Sequence, residues 1–322
     1  MGKMSRKRLL VAVDGSEAAL ETVRYVGRSL PGDCVEVVLF HIMTRIPESF
    51  WDLEKEPAFQ YRIANIEAWE KQQENLIEGF MGEAKRALLD AGVPEEAIVV
   101  NVQARKEGIA RDIIAESYNN YDAVVVGRHG LSQLKDLVLG SVADKLVGKL
   151  THVPVWVVAG LGRARKVLIP IDASEGALQA VRYVGRMLLG SQGVNVTLFH
   201  AMRGLDVFMQ GFGESFVLSH DRDWLARVDQ ELVEAEKEME QSFDRARRVL
   251  VEAGLDEERV ATKIVKGVSS RAGAIIQEAR DGGYETIVVG RRGLSRIQEF
   301  FMGRVSSKVI QMAKGLTVWV VS

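Results

Sequence analysis

Three glycines and a serine form the pattern in this sequence that is most suggestive of chemistry. Two residues separate Gly127 from Gly130, and after nine more residues Gly140 and Ser141 open a predicted helix. Glycine permits positive φ and close approach of the backbone, and the free N–H groups at a helix start attract anions. The spacing predicts a phosphate cradle, in which Ser141 either donates its hydroxyl to a phosphate oxygen or caps the helix.

A carboxylate stands at the end of the first predicted strand. An apolar run ends in Val13-Asp14-Gly15-Ser16, just before a predicted helix. In a doubly wound sheet, ligands bind beyond the carboxyl ends of the strands, where the strand order reverses. We therefore expect Asp14 and the glycine pattern to meet at one edge of a sheet.

The elements that must position these residues are short apolar strands alternating with helices, a pattern typical of a parallel sheet covered on both faces. In the first half we predict strands at about 8–13, 34–41, 97–103, 122–126 and 153–158, and helices at about 16–29, 62–91, 108–118 and 141–150. In the second half, apolar residues at steps of three and four predict one long amphipathic helix over 222–253. Five strands with crossover helices make a doubly wound, Rossmann-like α/β fold.

The second half of the sequence repeats the first. The run Val23-Arg24-Tyr25-Val26-Gly27-Arg28 recurs as Val181-Arg182-Tyr183-Val184-Gly185-Arg186, and further matches follow in the same order. The recurrence of these residues in the same order indicates that the sequence contains an internal duplication. The 322 residues are thus predicted to form two five-stranded domains in tandem, 1–160 and 161–322, as a pseudo-twofold pair.

Composition excludes several classes of protein. Lys+Arg (42) and Asp+Glu (44) nearly cancel, so we do not expect nucleic acid as a partner. The apolar run near the N-terminus, Leu9 to Val13, is too short for a signal peptide or a membrane span. Cys34 is the single cysteine, which favours a reducing, cytoplasmic setting.

The pattern Gly127-x2-Gly130-x9-Gly140-Ser141 is similar to the ATP-binding signature of the universal stress protein family, G-x2-G-x9-G-(S/T). The resemblance extends over essentially the whole chain, once per repeat, so the chain resembles a tandem member. It implies that ATP, with Mg²⁺, binds at least in the first domain. It places Asp14 near the ribose and any metal, and the backbone at Ile42 near the adenine. The residues implied around the phosphates are Gly127, Gly130, Gly140 and Ser141, and the neighbouring Arg128, His129 and Val142 are implied to belong to the nucleotide site.

A second site is predicted to be degenerate. The second repeat keeps Asp172, Gly290, Gly293 and Gly303, but Arg304 replaces the hydroxyl residue of the family signature. A cation at a helix start opposes the helix dipole and calls for an anion. That anion is either a phosphate, held by Arg291, Arg292 and Arg304, or an acidic side chain that closes the site. The bulkier Phe300-Phe301-Met302 favours closure, so we expect ATP to bind there about tenfold or more weakly, or not at all.

Three functions are compatible with these features. The leading hypothesis is a nucleotide-responsive stress protein without a dedicated catalytic centre. The second is a slow ATPase or a self-phosphorylating protein, with Ser141 as acceptor and His129 as the local candidate for a base. The third is a nucleotide-free scaffold that serves for interaction, or for an apolar ligand under the aromatic segments 44–61 and 203–221. We expect the aromatics of these segments to cover their own core, with a lid or a partner surface as the alternative.

Two structural expectations remain. The final strands, Val153–Val158 and Thr317–Val321, are apolar edge strands with a tryptophan at the same place, so we predict that they pair, within the chain or between two copies in a homodimer. His41 and His200 end the second strand of each repeat without Cys, Asp or Glu at ligand spacing. They are predicted to have core or hydrogen-bonding roles rather than to bind metal.

Overall fold

The computed structural model describes residues 6–44, 57–130, 139–160, 162–203, 222–291 and 302–322. The chain divides into two compact units, Met1–Leu146 and Val147–Ser322.

The first unit contains a parallel sheet in the order β3-β2-β1-β4. Its strands are β1 (Lys7–Ala12), β2 (Val35–Met43), β3 (Ile98–Ala104) and β4 (Ala123–Gly127). Its helices are α1 (Glu17–Ser29), α2 (Pro57–Asp90), α3 (Ile109–Glu116) and the start of α4 (Ser141–Lys149), which continues into the second unit. The chain moves outward from β1 through β2 and β3, then returns to the other side of β1 as β4. The strand order therefore reverses between β1 and β4, where ligands bind in doubly wound folds.

The described part of the second unit contains six strands in the order β5-β10-β9-β6-β7-β8. These are β5 (Val155–Val158), β6 (Lys166–Pro170), β7 (Asn195–Ala201), β8 (Val260–Val265), β9 (Thr286–Gly290) and β10 (Thr317–Val321). Its helices are α5 (Glu175–Leu188), α6 (Arg222–Glu252), α7 (Arg271–Asp281) and α8 (Arg304–Met312). Strands β6 to β10 pair in parallel. They form the five-stranded, doubly wound α/β sheet that the sequence predicts.

The repeated run Val-Arg-Tyr-Val-Gly-Arg brings two helices into close contact in each repeat. A Cβ added to Gly27 in α1 would lie 2.7 Å from the Cβ of Ala91, just after α2. A Cβ added to Gly185 in α5 would lie 2.7 Å from the Cβ of Ala253, just after α6. Glycine is required at both positions because a larger residue would push the helices apart.

The two final strands pair, as predicted. Strand β5 lies antiparallel to β10, with Trp156 opposite Trp319. The two indole rings stack at a centroid distance of 3.9 Å and an interplanar angle of 3°, and the Trp156 Nε1 group donates a hydrogen bond of 2.9 Å to the Tyr183 hydroxyl. Because β5 packs on β10, it belongs to the second compact unit, although the sequence period puts it at the end of the first repeat. The domain boundary at 160 stays a prediction.

The predicted elements agree with the structure except at a few ends. Helix α2 begins at Pro57, five residues before the predicted start, because proline is well suited to the first helical position. The apolar stripe predicted for the second long helix is buried at Met239, Phe243, Ala246 and Leu250 of α6. Residues 45–56 and 204–221, which include most of the two aromatic segments, lie outside the described residues. No helix of the described part is long and apolar enough to span a bilayer.

Candidate functional site

Asp14 follows β1 and is held in place by the helix that comes next. Its Oδ1 accepts hydrogen bonds from the Ser16 backbone N–H at 3.1 Å and from the Ser16 hydroxyl at 2.6 Å. Ser16 is also the N-cap of α1, because its Oγ accepts from the Ala19 N–H at 3.1 Å. Gly15 has φ of +85°, which a glycine adopts without strain. The carboxylate is therefore oriented by the same serine that starts the helix.

The loop after β4 approaches this carboxylate. A Cβ added to Gly130 would lie 2.2 Å from Asp14 Oδ2, so any side chain at position 130 would displace the carboxylate. A Cβ added to Gly127 would lie 3.1 Å from the His129 carbonyl oxygen and 3.2 Å from Thr22 Oγ1. The structure thus brings Asp14 and the first two glycines of the signature to one edge of the first sheet.

The two ends of the signature meet as well. The Gly140 N–H donates to the Arg128 carbonyl at 2.9 Å, and a Cβ added to Gly140 would lie 3.0 Å from that oxygen. None of the signature glycines Gly127, Gly130 and Gly140 has a positive φ. Of the two properties expected of these glycines, close approach is therefore the one that the structure uses. Residues 131–138, between the two ends, lie outside the described residues.

Ser141 is the first residue of α4 and is exposed. The first backbone hydrogen bond of the helix runs from the Asp144 N–H to the Gly140 carbonyl, 2.9 Å, so Gly140 occupies the cap position. The Ser141 hydroxyl makes no hydrogen bond to any described residue. Ser141 was expected either to cap the helix or to donate its hydroxyl to a phosphate oxygen. Capping by Ser141 is not seen in the described part of the chain.

The remaining neighbours differ in what they can offer. The Arg128 side chain is only 3% exposed, and burial lowers the pKa of its guanidinium. Arg128 therefore contributes its backbone to the loop. His129 and Val142 are half-buried beside Gly130 and Ser141 in sequence.

The peptide groups of Ile42 lie beyond the end of β1. The Phe40 carbonyl faces β1, where it accepts from the Val13 N–H at 2.9 Å, and the Met43 carbonyl faces β3, where it accepts from the Arg105 N–H at 2.8 Å. Successive peptide groups alternate between the two sides of a strand. The N–H and C=O of Ile42 therefore point to the β1 side of β2, past the last β1–β2 pair.

The two histidines at the ends of β2 and β7 have the hydrogen-bonding role predicted for them. His41 Nδ1 donates to the Val13 carbonyl at 2.9 Å, and His200 Nδ1 donates to the Ile171 carbonyl at 2.7 Å. Each carbonyl belongs to the residue just before the aspartate that the two repeats share, Asp14 in the first and Asp172 in the second. The histidines thus fix the backbone from which the carboxylates project. Among the described residues, no three His, Cys, Asp or Glu side chains form a metal site.

The second repeat builds the same edge. Asp172 Oδ1 accepts from the N–H and the hydroxyl of Ser174, which caps α5 by accepting from the Ala177 N–H at 3.2 Å. The Gly303 N–H donates to the Arg291 carbonyl at 2.8 Å, the counterpart of the Gly140 contact. Gly290 ends β9 and is buried. Gly293 and Arg292 lie outside the described residues.

The arginines of the second repeat have different surroundings. Arg291 is 4% exposed, and its guanidinium donates to the carbonyls of Val147, Gly148 and Leu150 at the end of α4, at 2.7–2.9 Å. The suggestion that Arg291 could hold a phosphate is therefore wrong, because its side chain is buried and already engaged. Arg304 begins α8 and is exposed.

The acidic partner that would close the second site is not found in the described part of the chain. Arg304 makes no ion pair there, and it lines a cavity of about 590 Å³. Phe300 and Phe301, on which the expected closure also depended, lie outside the described residues.

Sequence reasoning missed two sets of residues. The role of Ser16 and Ser174 in orienting the aspartates was not predicted. An Asp-x-Ser pattern before a helix could have suggested it, because serine is a strong N-cap residue. The basic residues around the second cavity, Arg203, Arg271 and Lys308, were also missed, and only a comparison of the two repeats position by position reveals them.

Comparison with known proteins agrees with this architecture. The family model described as Universal stress protein family matches the chain twice, over residues 5–159 and 163–322. A universal stress protein of Mycolicibacterium smegmatis is 25% identical over 312 residues, covering 95% of this chain and 94% of that protein. Universal stress protein MJ0577 of Methanocaldococcus jannaschii is 27% identical over 162 residues, covering 47% of this chain and 94% of that protein.

A solved structure shares the fold over the same extent. The crystal structure of a universal stress protein from Archaeoglobus fulgidus covers 98% of both chains, with a TM-score of 0.56 and 20% identity. The two family matches together cover nearly all of the sequence. This chain therefore belongs to the universal stress protein family, with two family domains in tandem.

Proposed function

We propose that this protein is a cytoplasmic, nucleotide-responsive regulator of a stress response that binds ATP with a divalent cation in its first repeat. The observation that carries the proposal is the meeting of Asp14, Gly130 and the Arg128–Gly140 contact at the edge where the strand order reverses. That edge is where doubly wound folds bind nucleotides.

The first repeat offers a group for each part of the ligand. The free N–H groups at the start of α4 and the exposed Ser141 hydroxyl suit phosphate oxygens. The peptide groups of Ile42, which lie past the end of β1, suit the edge of an adenine ring. Asp14 suits a ribose hydroxyl or Mg²⁺, which proteins commonly hold by one or two carboxylates together with the phosphates of the ligand.

The presence of bound nucleotide, rather than its hydrolysis, would change the state of the protein. ATP supplies three phosphate groups and their charge, and the protein supplies oriented donors and one carboxylate. Regulation requires that ATP have different affinities for two states of the protein.

The small molecules that accompany the untagged protein through purification test this proposal. We expect denaturation to release an adenine nucleotide, in an amount that falls in the Gly130→Val variant. Gly82→Val is the matched control, because Gly82 is exposed on α2 and a Cβ there meets nothing within 4 Å. Release of no nucleotide, or of an apolar ligand alone, would contradict the proposal. ADP in place of ATP, or a phosphate on Ser141, would favour the slow ATPase or the self-phosphorylating protein.

A further inference from the structure

The cavity of the second repeat is large enough for a nucleotide-sized ligand. It measures about 590 Å³, within the range of ligand pockets in proteins, ~300–1,000 Å³. It lies beyond the carboxyl ends of β6, β7 and β9, and its walls include Gly290 and Gly303 of the second signature. Its position corresponds to that of the candidate site in the first repeat.

The charged side chains of this cavity are almost all basic. Among the described residues, Arg203, Arg271, Arg304 and Lys308 line it together with a single carboxylate, Asp172. None of the four cations forms an ion pair with a described residue. His200 adds no charge at neutral pH, because burial lowers the pKa of its imidazole. The cavity wall therefore carries a positive charge that the described part of the protein leaves unbalanced.

Three of these cations are new with respect to the first repeat. Arg203 corresponds to Thr44, Arg271 to Ile109 and Arg304 to Ser141 when the repeats are aligned. The aspartate and the lysine are shared, since Asp172 and Lys308 correspond to Asp14 and Lys145. The second repeat thus keeps the fold of the site and adds positive charge at three positions, just after β7 and at the first residues of α7 and α8.

The position of two of these cations makes an anionic ligand the simplest explanation. Arg304 and Lys308 are four residues apart in the first turns of α8, so they repel each other and oppose the dipole of the helix. The N-cap, Gly303, has no side chain to satisfy the free N–H groups of α8. An anion at this helix start would offset the repulsion between the two cations and accept hydrogen bonds from the free N–H groups. Guanidinium groups bind phosphate through paired, charge-assisted hydrogen bonds.

We propose that this cavity binds a polyphosphorylated ligand of nucleotide size directly through Arg203, Arg271 and Arg304, without a divalent cation. The three guanidinium groups neutralise the phosphates, as a divalent cation would do in the site proposed for the first repeat. Arg304 replaces the hydroxyl of the signature as a phosphate ligand. Asp172, oriented by Ser174, accepts a hydrogen bond from a hydroxyl of the same ligand.

The test uses the full chain with Gly130→Val, which removes the first site, so that it does not depend on the function proposed for that site. The probes are ATP in excess EDTA, ATP with Mg²⁺, and inorganic tripolyphosphate, each followed by calorimetric titration. The variant to compare carries Arg203→Gln, Arg271→Gln and Arg304→Gln; all three side chains are exposed. Arg280→Gln, on the exposed far end of α7, is the matched control.

We expect ATP to bind in EDTA at least as tightly as with Mg²⁺, and tripolyphosphate to compete with it. The triple variant should lose about tenfold or more in affinity, and Arg280→Gln should change it little. Thermal unfolding establishes whether each variant is folded. If the triple variant is not folded, the titration is made with the single variant Arg304→Gln, which should also bind ATP more weakly. Binding that requires Mg²⁺, binding unaffected by the arginine changes, or no binding at all would overturn the proposal.

Discussion

At the scale of single residues, the first site depends on how Asp14 is held. Ser16 donates twice to one carboxylate oxygen, and Gly130 lies against the other. The side chain is therefore oriented before any ligand arrives, which reduces the entropy that binding must offset. The glycine pattern could be predicted from the sequence because its residues are close together in the chain, whereas the contact between positions 14 and 130 required the fold.

Replacing Ser141 by alanine should weaken Mg·ATP binding to the first repeat by about 1–2 kcal/mol, the contribution of one hydrogen bond to a charged group. The fold should not change, because this hydroxyl is exposed and bonds to no described residue. Titration in the background of the three Arg→Gln changes isolates the first site. Ser141→Thr, which keeps the hydroxyl, is the control, and equal affinities for the alanine and threonine variants would refute the role.

Replacing Ser16 or Ser174 by alanine should have the same effect on stability but different effects on binding. Each serine caps a helix, so each change should lower the free energy of unfolding by about 0.5–2 kcal/mol in urea denaturation. Only Ser16→Ala should also weaken Mg·ATP binding at the first repeat, because it releases Asp14. Equal effects of the two changes on that binding would show that the orientation of Asp14 does not matter.

At the scale of elements, apolar runs made the strands predictable to within about two residues, since a buried parallel strand needs Val and Ile on both faces. The start of α2 was missed because Pro57 lies before the clear apolar periodicity. The role of Arg291 could not be found from the sequence at all. Its partners at the end of α4 are more than a hundred residues away, and a buried arginine looks like any other arginine in a sequence.

Arg291→Met should destabilise the protein by about 2–4 kcal/mol, because it leaves the carbonyls at the end of α4 without their donor in a buried place. Chemical denaturation followed by circular dichroism measures the change. Arg280→Met, at an exposed position, should stay within about 0.5 kcal/mol of the parent. A loss for Arg291→Met no larger than that control would mean that these hydrogen bonds do not contribute to stability.

At the scale of the whole molecule, duplication has produced two versions of one site. Both repeats keep the aspartate, the serine that orients it and the glycine contact after the fourth strand of the repeat. They differ in charge: the first has Thr44, Ile109 and Ser141 where the second has three arginines. We expected this difference to close the second site, since a sequence shows that a cation needs an anion but not where that anion comes from. Among the described residues, Arg304 has no acidic partner and lines a cavity of about 590 Å³, and we therefore propose a ligand there.

We propose that the first repeat binds Mg·ATP through Asp14 and the signature glycines. The most direct measurement is a calorimetric titration of Mg·ATP into the full chain carrying Arg203→Gln, Arg271→Gln and Arg304→Gln, with and without Gly130→Val. We expect one Mg·ATP site per chain in the protein that carries the three arginine changes alone. We expect none once Gly130→Val is added, because the new side chain displaces Asp14 and fills the space for the phosphates. No binding without Gly130→Val, or binding that survives Gly130→Val unchanged, would show that Mg·ATP does not bind at these residues.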